Sequence, residues 1–150
     1  MLIDDNGIEM VKVIEVLMLK AYPDPPHQDK TYSIGYGHFG VTKDAACTPE
    51  QAVAWLRQDI QRAQHAVDTL VKTTLRQGES NALVSFVFNI GDGAFAKSTM
   101  LTFLNKGLME AAANEFPKWN KSAGVVWKSL INRRKLEQAE FLGKGWRSAL

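Results

Sequence analysis

Residues 48–70 carry the longest helical pattern in the chain. Thr48 can cap a helix, Pro49 suits the first helical position, and Gln51 completes a capping box three residues after Thr48. Apolar residues then recur at alternating intervals of three and four: Val53, Leu56, Ile60, Ala63, Val67 and Leu70. A helix of this length spans roughly 34 Å. Such a rod suits a domain with two lobes joined by the helix, although a plain amphipathic core helix would show the same pattern.

The segment before this helix changes from a helical to a β pattern. Apolar residues at helical spacing predict a helix over residues 4–20: Ile8, Val11, Ile14 and Met18. Three prolines then prevent its continuation, because proline lacks the N–H and clashes with the preceding turn: Pro23, Pro25 and Pro26. Residues 31–38, Thr-Tyr-Ser-Ile-Gly-Tyr-Gly-His, are aromatic, β-branched and closed by glycines, so we expect a small hairpin that residues 39–42 extend.

The second half of the sequence predicts a helical bundle. Residues 77–90 begin at a candidate Gly78 or Ser80 cap and are almost wholly apolar from Ala82 onward, which places this helix at the centre of the bundle. Further helices are expected over residues 98–104, 108–120 and 128–142, with a loop at residues 122–126. The fold class is therefore α+β and mostly helical: residues 1–47 form a helix and hairpin lobe, 48–72 the connecting helix, and 73–150 an all-helical lobe.

Composition excludes several classes of function. The chain has 150 residues, 45% of them hydrophobic, and a net charge of only +2, so we expect one soluble domain with no nucleic-acid partner. A single Cys47 excludes an intramolecular disulfide. No apolar run is long enough to span a membrane, so we expect no stable membrane insertion. The acidic first ten residues do not resemble a signal peptide, so the chain should accumulate in the cytoplasm.

No metal or cofactor site is expected. The histidines are His27, His38 and His65, and none has metal-ligand spacing to another or to Cys47. We therefore interpret His38 as a structural residue bonded to a carboxylate.

Two carboxylates in different surroundings are a candidate catalytic pair. Glu15 has apolar neighbours that would favour its protonated form if the side chain is partly buried, whereas Asp24 lies among polar residues and prolines. Ser33 offers a hydroxyl on the returning strand. Glycoside hydrolysis needs one protonated acid and one ionised carboxylate. Residue types alone do not establish catalysis, since a helical Glu and a loop Asp are also ordinary surface residues.

The spacing of these residues resembles the signature of phage-type lysozymes, glycoside hydrolase family 24. That pattern has a helix-borne Glu, eight residues, an Asp, and then a Thr in a Thr-Ile-Gly-x-Gly-His run. Here Glu15 and Asp24 keep the eight-residue gap, and residues 33–38 match the run with Ser33 in place of Thr. The likeness continues through residues 82–99, 114–119 and 130–137, so it covers nearly the whole chain. Three features depart from the pattern: Val16 replaces a usual Gly, Met18 replaces a common Arg, and the loop after Asp24 is three residues longer than the shortest version.

The resemblance implies a lysozyme-like fold and a function. It implies an endolysin, a muramidase that cleaves the β-1,4 bond between N-acetylmuramic acid and N-acetylglucosamine in peptidoglycan. Glu15 would be the acid, Asp24 the base and Ser33 a residue that positions water, with inversion at the anomeric carbon. It further implies a monomer that accumulates in the host cytoplasm and acts on the wall in the periplasm after release by a holin.

The resemblance also implies residues that bind or support the substrate. Positions that line the sugar-binding cleft in relatives match Phe39, Phe88, Ser98 and Asn114. Competing interpretations are a core position for Phe88, a helix cap for Ser98 and a solvated helix face for Asn114. Arg133 matches an arginine expected to approach the catalytic Glu. The alternative for Arg133 is a solvated basic helix face, which is also the expectation for Arg134 and Lys135.

Two rival functions remain at this point. The chain could bind peptidoglycan without cleaving it, because Val16 and Met18 depart from the pattern beside the acid. Alternatively, a basic segment near residues 125–150 could act on membranes. Leu136, Phe141 and the acids Glu137 and Glu140 on the same helix favour an ordinary packed helix over the second rival.

Overall fold

A three-stranded antiparallel sheet forms the centre of one part of the chain. The computed structural model describes residues 1–23 and 31–150. These residues divide into two compact units, the small unit (Val11–Gln61) and the large unit (Met1–Met10 with Arg62–Leu150). In the small unit, β2 lies between its neighbours, and the strands have these bounds: β1 Met18–Pro23, β2 Tyr32–Gly35 and β3 His38–Val41. The expected hairpin and its extension are confirmed as β2 and β3, and β1 adds a strand.

The first helix, α1 (Asp5–Glu15), ends earlier than its pattern predicts. Ile8 and Val11 are buried as expected, but Met18 lies in β1 and is exposed, so the prediction of a helix reaching residue 20 was wrong. The reason is local. Val16 leaves the right-handed helical region, with φ at +62°, and stops the helix one residue after Glu15.

The long helix is confirmed as α2 (Pro49–Leu70). The Gln51 backbone N–H donates to the Thr48 hydroxyl at 3.2 Å, which is the predicted cap. Its buried residues follow the predicted stripe, with Leu56, Ile60, Ala63 and Val67 all inaccessible to solvent or nearly so. On the same helix, Ala52 packs against β2. A Cβ added at Gly35 would sit 3.1 Å from the Ala52 Cβ, so the backbone approaches closely there.

The large unit is built around α3 (Gln77–Ile90), as its apolar sequence predicts. Phe86 is fully buried and packs edge-to-face against three other aromatic rings: Phe95, Phe116 and Trp119. The N-cap is Arg76, so the predicted caps Gly78 and Ser80 were wrong. The Arg76 backbone N–H donates to Glu79 at 2.8 Å, whereas the Ser80 hydroxyl donates to the Met1 carbonyl at 2.7 Å.

Around α3, the remaining elements of the large unit are α4 (Asp92–Ala96), α5 (Thr99–Asn105), α6 (Met109–Ala113), a 3₁₀ turn (Phe116–Lys118), β4 (Lys121–Ser122), β5 (Val125–Val126), α7 (Lys128–Phe141) and a second 3₁₀ turn (Trp146–Ala149). The predicted helix over residues 108–120 is thus split into α6 and a turn. Residues predicted as a loop form the β4–β5 hairpin, joined by Ala123 and Gly124 with φ of +51° and +78°. Positive φ at both turn residues is typical of a type I′ turn. The expectation of an all-helical lobe was therefore wrong, while the mostly helical α+β class is confirmed.

No helix among residues 1–23 and 31–150 is both long and apolar enough to cross a bilayer.

Candidate active site

Glu15 is the last residue of α1, and the residue after it has an unfavourable backbone conformation. The Val16 N–H donates to the Lys12 carbonyl at 3.1 Å while Val16 holds a φ of +62°. This is the left-handed C-terminal cap that glycine usually occupies, because only glycine avoids a clash of its Cβ. A β-branched residue is a clear outlier there. The structure thus gives a physical reason for the glycine of the phage-lysozyme pattern and identifies Val16 as strained.

Replacing Val16 by Gly should therefore stabilise the protein. The left-handed conformation costs a β-branched residue roughly 1–2 kcal/mol, and glycine removes this cost. The greater flexibility of glycine in the unfolded chain offsets part of the gain, so the unfolding free energy should rise by about 1 kcal/mol. Thermal or urea unfolding measures the change. Val13→Gly is the matched control, since Val13 is exposed inside the same helix and glycine should destabilise there. A destabilised Val16→Gly variant would contradict the strain.

The turn between β2 and β3 lies directly against the Glu15 carboxyl. Gly37 has a φ of +77°, and a Cβ built on it would sit 3.1 Å from Glu15 Oε2. One helical turn earlier, Lys12 Nζ lies 5.9 Å from the centroid of the Tyr36 ring in the same turn. The end of α1 and the β2–β3 turn therefore approach each other closely, and a larger residue than glycine at position 37 would press on the Glu15 carboxyl.

Gly37→Ala should lower activity by displacing this carboxyl. The added methyl group meets Oε2 of Glu15, the expected acid, and shifts it by a few tenths of an ångström. A shift of about 1 Å would cost about 10²-fold in rate, so the expected loss is smaller than that. Gly40→Ala is the matched control. Gly40 also has a positive φ, of +90°, but among the described residues no atom beyond its own chain neighbours lies within 4 Å of the position that its Cβ would take. Both variants carry similar backbone strain, but only Gly37→Ala meets Glu15, so kcat should fall in that variant alone. An equal fall of kcat in both would show that backbone strain causes it.

Ser33 occupies the centre of the sheet. It pairs through its Cα with Tyr22 of β1 on one side and with Phe39 of β3 on the other, and its exposed fraction is 2%. Asp24 follows Pro23, the last residue of β1, and lies outside the described residues. The small unit thus brings Glu15 and Ser33 onto adjoining elements, the end of α1 and the sheet whose β2–β3 turn touches it.

His38 is bound by a carboxylate, as the sequence interpretation proposed. Its Nδ1 lies 2.8 Å from Asp59 Oδ2, and its ring stacks on Trp55 with centroids 4.5 Å apart and an angle of 6° between the planes. Both partners come from α2, four residues apart and thus on one helix face. Sequence reasoning did not select Trp55 or Asp59, although this spacing was the available signal. Among the residues described, no three metal-binding side chains cluster.

The predicted substrate-binding residues lie in different environments. Phe39 is half-exposed on β3. In the large unit, Phe88 is partly buried at the end of α3, and Asn114 is exposed at the end of α6. Ser98 caps α5: its hydroxyl accepts from the Leu101 N–H at 3.1 Å and donates to the Phe95 carbonyl at 2.7 Å. The cap interpretation of Ser98 is confirmed, and contact of the four residues with sugar stays a prediction.

Arg133 belongs to a buried charge cluster on α7. Glu137 is fully buried, with Arg134 Nε at 2.7 Å and Arg133 Nε at 3.5 Å from its carboxylate, and it accepts a hydrogen bond from the Ser85 hydroxyl at 2.9 Å. Arg133 also donates to the Ser85 carbonyl at 3.0 Å. Arg134 is 1% exposed, so the expectation that it lies on a solvated face was wrong. The reason is the buried counter-charge of Glu137, one helical turn away. The action of Arg133 on Glu15 stays a prediction.

Comparison with known proteins decides the family. The family model for phage lysozyme matches residues 12–137. The chain belongs to the phage lysozyme family. Within it, the chain is 39% identical to the endolysin of Salmonella phage P22 over 148 residues, which cover 95% of this chain and 99% of that protein. It is 46% identical to the endolysin of Bacillus phage PZA over 143 residues, which cover 94% of this chain and 55% of that protein.

Solved structures agree with the phage-lysozyme fold. The muramidase domain of SpmX from Asticaccaulis excentricus superposes with a TM-score of 0.87 at 38% identity, covering 94% of this chain and 97% of that one. An endolysin from Escherichia coli O157:H7 phage FAHEc1 gives 0.87 at 31% identity, with 96% and 95% covered. This chain spans about half the length of the Bacillus phage endolysins, 55% and 54%, so it corresponds to one part of those longer proteins.

Proposed function

We propose that this phage lysozyme is an endolysin that hydrolyses the β-1,4 bond between N-acetylmuramic acid and N-acetylglucosamine. The observation that carries the proposal is the placement of Glu15. Glu15 ends α1, and its Oε2 lies 3.1 Å from the position that a Cβ on Gly37 would take. The sequence keeps the family's eight-residue gap between Glu and Asp and a hydroxyl residue, Ser33, at the start of the Ile-Gly-x-Gly-His run. Support comes from identity of 39% to an endolysin covered over nearly its whole length, and from the structural likeness to a muramidase domain.

In the proposed mechanism, Glu15 protonates the glycosidic oxygen as the bond breaks. Asp24 accepts a proton from water on the other face of the sugar, and Ser33 helps to position that water. Inversion would follow, which requires carboxyl groups about 6.5–9.5 Å apart. No cofactor takes part. Phe39, Phe88, Ser98 and Asn114 would contact the glycan strand, with Arg133 and His38 in supporting roles.

The same proposal covers the biological setting. Residues 1–150 would act as one catalytic domain and as a monomer on peptidoglycan. The protein would collect in the host cytoplasm and reach the wall through a holin lesion, without a nucleic-acid partner. Lysis of the host cell would be the outcome.

The identity of the bond can be tested on purified peptidoglycan. The digest is reduced with borohydride and the products are analysed by mass spectrometry. New reducing ends on N-acetylmuramic acid are expected. Reduced N-acetylglucosamine ends, or cleavage within the peptides, would contradict the proposed bond.

Ser33→Ala should reduce catalysis much more than stability. Loss of one hydrogen bond costs roughly 1 kcal/mol in unfolding free energy, whereas loss of a positioned water affects every turnover. Hydrolysis rate and thermal unfolding are measured on the same preparation, with Ser33→Thr as the control, since Thr is the family residue and keeps the hydroxyl. Unchanged activity in Ser33→Ala would remove the water-positioning role.

A second candidate is a wall-binding protein with little activity. Val16 favours this candidate, because it departs from the family's glycine directly beside the proposed acid and is strained there. Wild-type protein that pellets with cell walls without releasing reducing ends would support this candidate. The third possibility, a membrane-active basic helix, is weakened by α7 itself, since Arg133 and Arg134 are buried against Glu137.

A further inference from the structure

The β4–β5 hairpin exposes an unusual amount of apolar surface. Every residue from Lys121 to Ser129 is exposed to solvent. Within this stretch, Val125, Val126 and Trp127 are consecutive and expose 55%, 50% and 50% of their surface. The Trp127 indole N–H lies 3.4 Å from the Ser122 carbonyl, which keeps the ring beside the hairpin. A run of exposed apolar residues is avoided on soluble proteins unless it contacts something.

Both faces of the hairpin carry apolar side chains. Val126 pairs with Lys121 and Val125 pairs with Ser122, so successive side chains point to opposite faces. A ligand that covered one face only would leave the other valine in water. A medium that surrounds the hairpin from its end would cover both.

The charged residues next to the hairpin in the sequence are all cations. No acidic residue occurs between Glu115 and Glu137, while six cations do: Lys118, Lys121, Lys128, Arg133, Arg134 and Lys135. Lys118 pairs with Glu115, and the two arginines pair with Glu137. Lys121 and Lys128 flank the apolar residues, are exposed, and take part in no ion pair within the described part of the chain. The hairpin surface, defined as Lys121, Val125, Val126, Trp127 and Lys128, is therefore apolar and cationic.

We propose that the hairpin surface binds the surface of an anionic lipid bilayer. Trp127 would lie at the level of the headgroups, Val125 and Val126 would enter the boundary of the acyl chains, and the two lysines would contact lipid phosphates. A hydrated glycan could stack on Trp127 but offers the valines no apolar environment, so charge and apolar exposure together favour lipid. Contact is peripheral and reversible, because only one short hairpin takes part. This inference concerns a surface outside the proposed catalytic residues.

The test is co-sedimentation of the full chain with vesicles. Vesicles of phosphatidylglycerol mixed with phosphatidylcholine are compared with vesicles of phosphatidylcholine alone. Removing both lysines in Lys121→Ala/Lys128→Ala should weaken binding to the anionic vesicles, by about 5-fold for each lysine. Lys97→Ala/Lys106→Ala is the matched control, with the same loss of charge at exposed positions of the large unit, and should bind nearly as wild type does. Val125→Ser/Val126→Ser should also weaken binding while the melting temperature changes little.

A spectroscopic measurement locates the contact. Brominated lipid should quench part of the tryptophan fluorescence of wild type, and Trp127→Phe should remove that quenching. The proposal would be overturned by no binding to anionic vesicles, by equal weakening in the two lysine pairs, or by undiminished quenching in Trp127→Phe. It would also be overturned if Val125→Ser/Val126→Ser lost as much affinity for lipid-free peptidoglycan as for the vesicles. These experiments measure binding and not hydrolysis, so they can be interpreted even if the proposed enzyme function is wrong.

Discussion

Glu15→Gln should lower the rate of wall hydrolysis by about 10²–10⁴-fold, the typical contribution of a general acid. Glutamine has nearly the same shape, so its side chain can still lie against Gly37 at the end of α1. Its amide cannot give a proton to the leaving oxygen. Clearing of permeabilised Gram-negative cells measures the rate, and the melting temperature should stay close to that of wild type.

The matched control for this variant lies on the same helix. Glu9 is exposed on α1, six residues before Glu15, so Glu9→Gln makes the same change of charge on the same helix and should retain activity. If Glu15→Gln keeps more than a small residual rate, Glu15 is not the acid. If both variants lose activity equally, the effect comes from charge on α1 rather than from catalysis.

Glu137→Gln should lower the unfolding free energy by about 3–5 kcal/mol, the usual cost of removing one partner of a buried ion pair. Glutamine keeps the volume but removes the carboxylate charge that faces the Arg134 and Arg133 guanidinium groups, whose residues are only 1% and 5% exposed. Water cannot replace the carboxylate there. Urea unfolding at equilibrium measures the loss.

Glu115→Gln is the comparison for this second prediction. Glu115 is also buried, but its partner Lys118 is exposed and can turn to solvent, so the loss should be at most about 1 kcal/mol. Similar losses of unfolding free energy in the two variants would mean that burial of the arginines adds little to the stabilisation by Glu137. A loss in Glu137→Gln below that of Glu115→Gln would contradict the account of the α7 cluster.

The helices were predictable where the apolar pattern alone determines them. α2 follows its pattern because it buries a continuous apolar stripe, and α3 follows its pattern because it is buried on nearly all sides. The end of α1 was not predictable from propensity, since nothing in a β-branched Val16 indicates a left-handed conformation. The β4–β5 hairpin was missed because Ala123-Gly124 is a weaker turn signal than Asn-Gly or Asp-Gly.

The residue types of the proposed site could be read from the sequence, whereas the geometry around them could not. Spacing indicated Glu15 and Ser33, but it could not show that Gly37 makes room for the Glu15 carboxyl. Burial of Arg134 also could not be read from the sequence. Adjacent cations on a helix normally point to solvent, whereas Arg134 is held inward by the Glu137 carboxylate, by the Asn89 side chain at 2.9 Å and by the Phe86 ring at 4.9 Å.

We propose above all that this phage lysozyme cleaves glycan strands with Glu15 as the acid. The most direct measurement is the release of reducing N-acetylmuramic acid ends from purified, lipid-free peptidoglycan by wild type and Glu15→Gln side by side. Wild type should release these ends steadily, and the variant should release almost none. Equal release by both would move catalysis away from Glu15, and no release by wild type would leave a wall-binding protein.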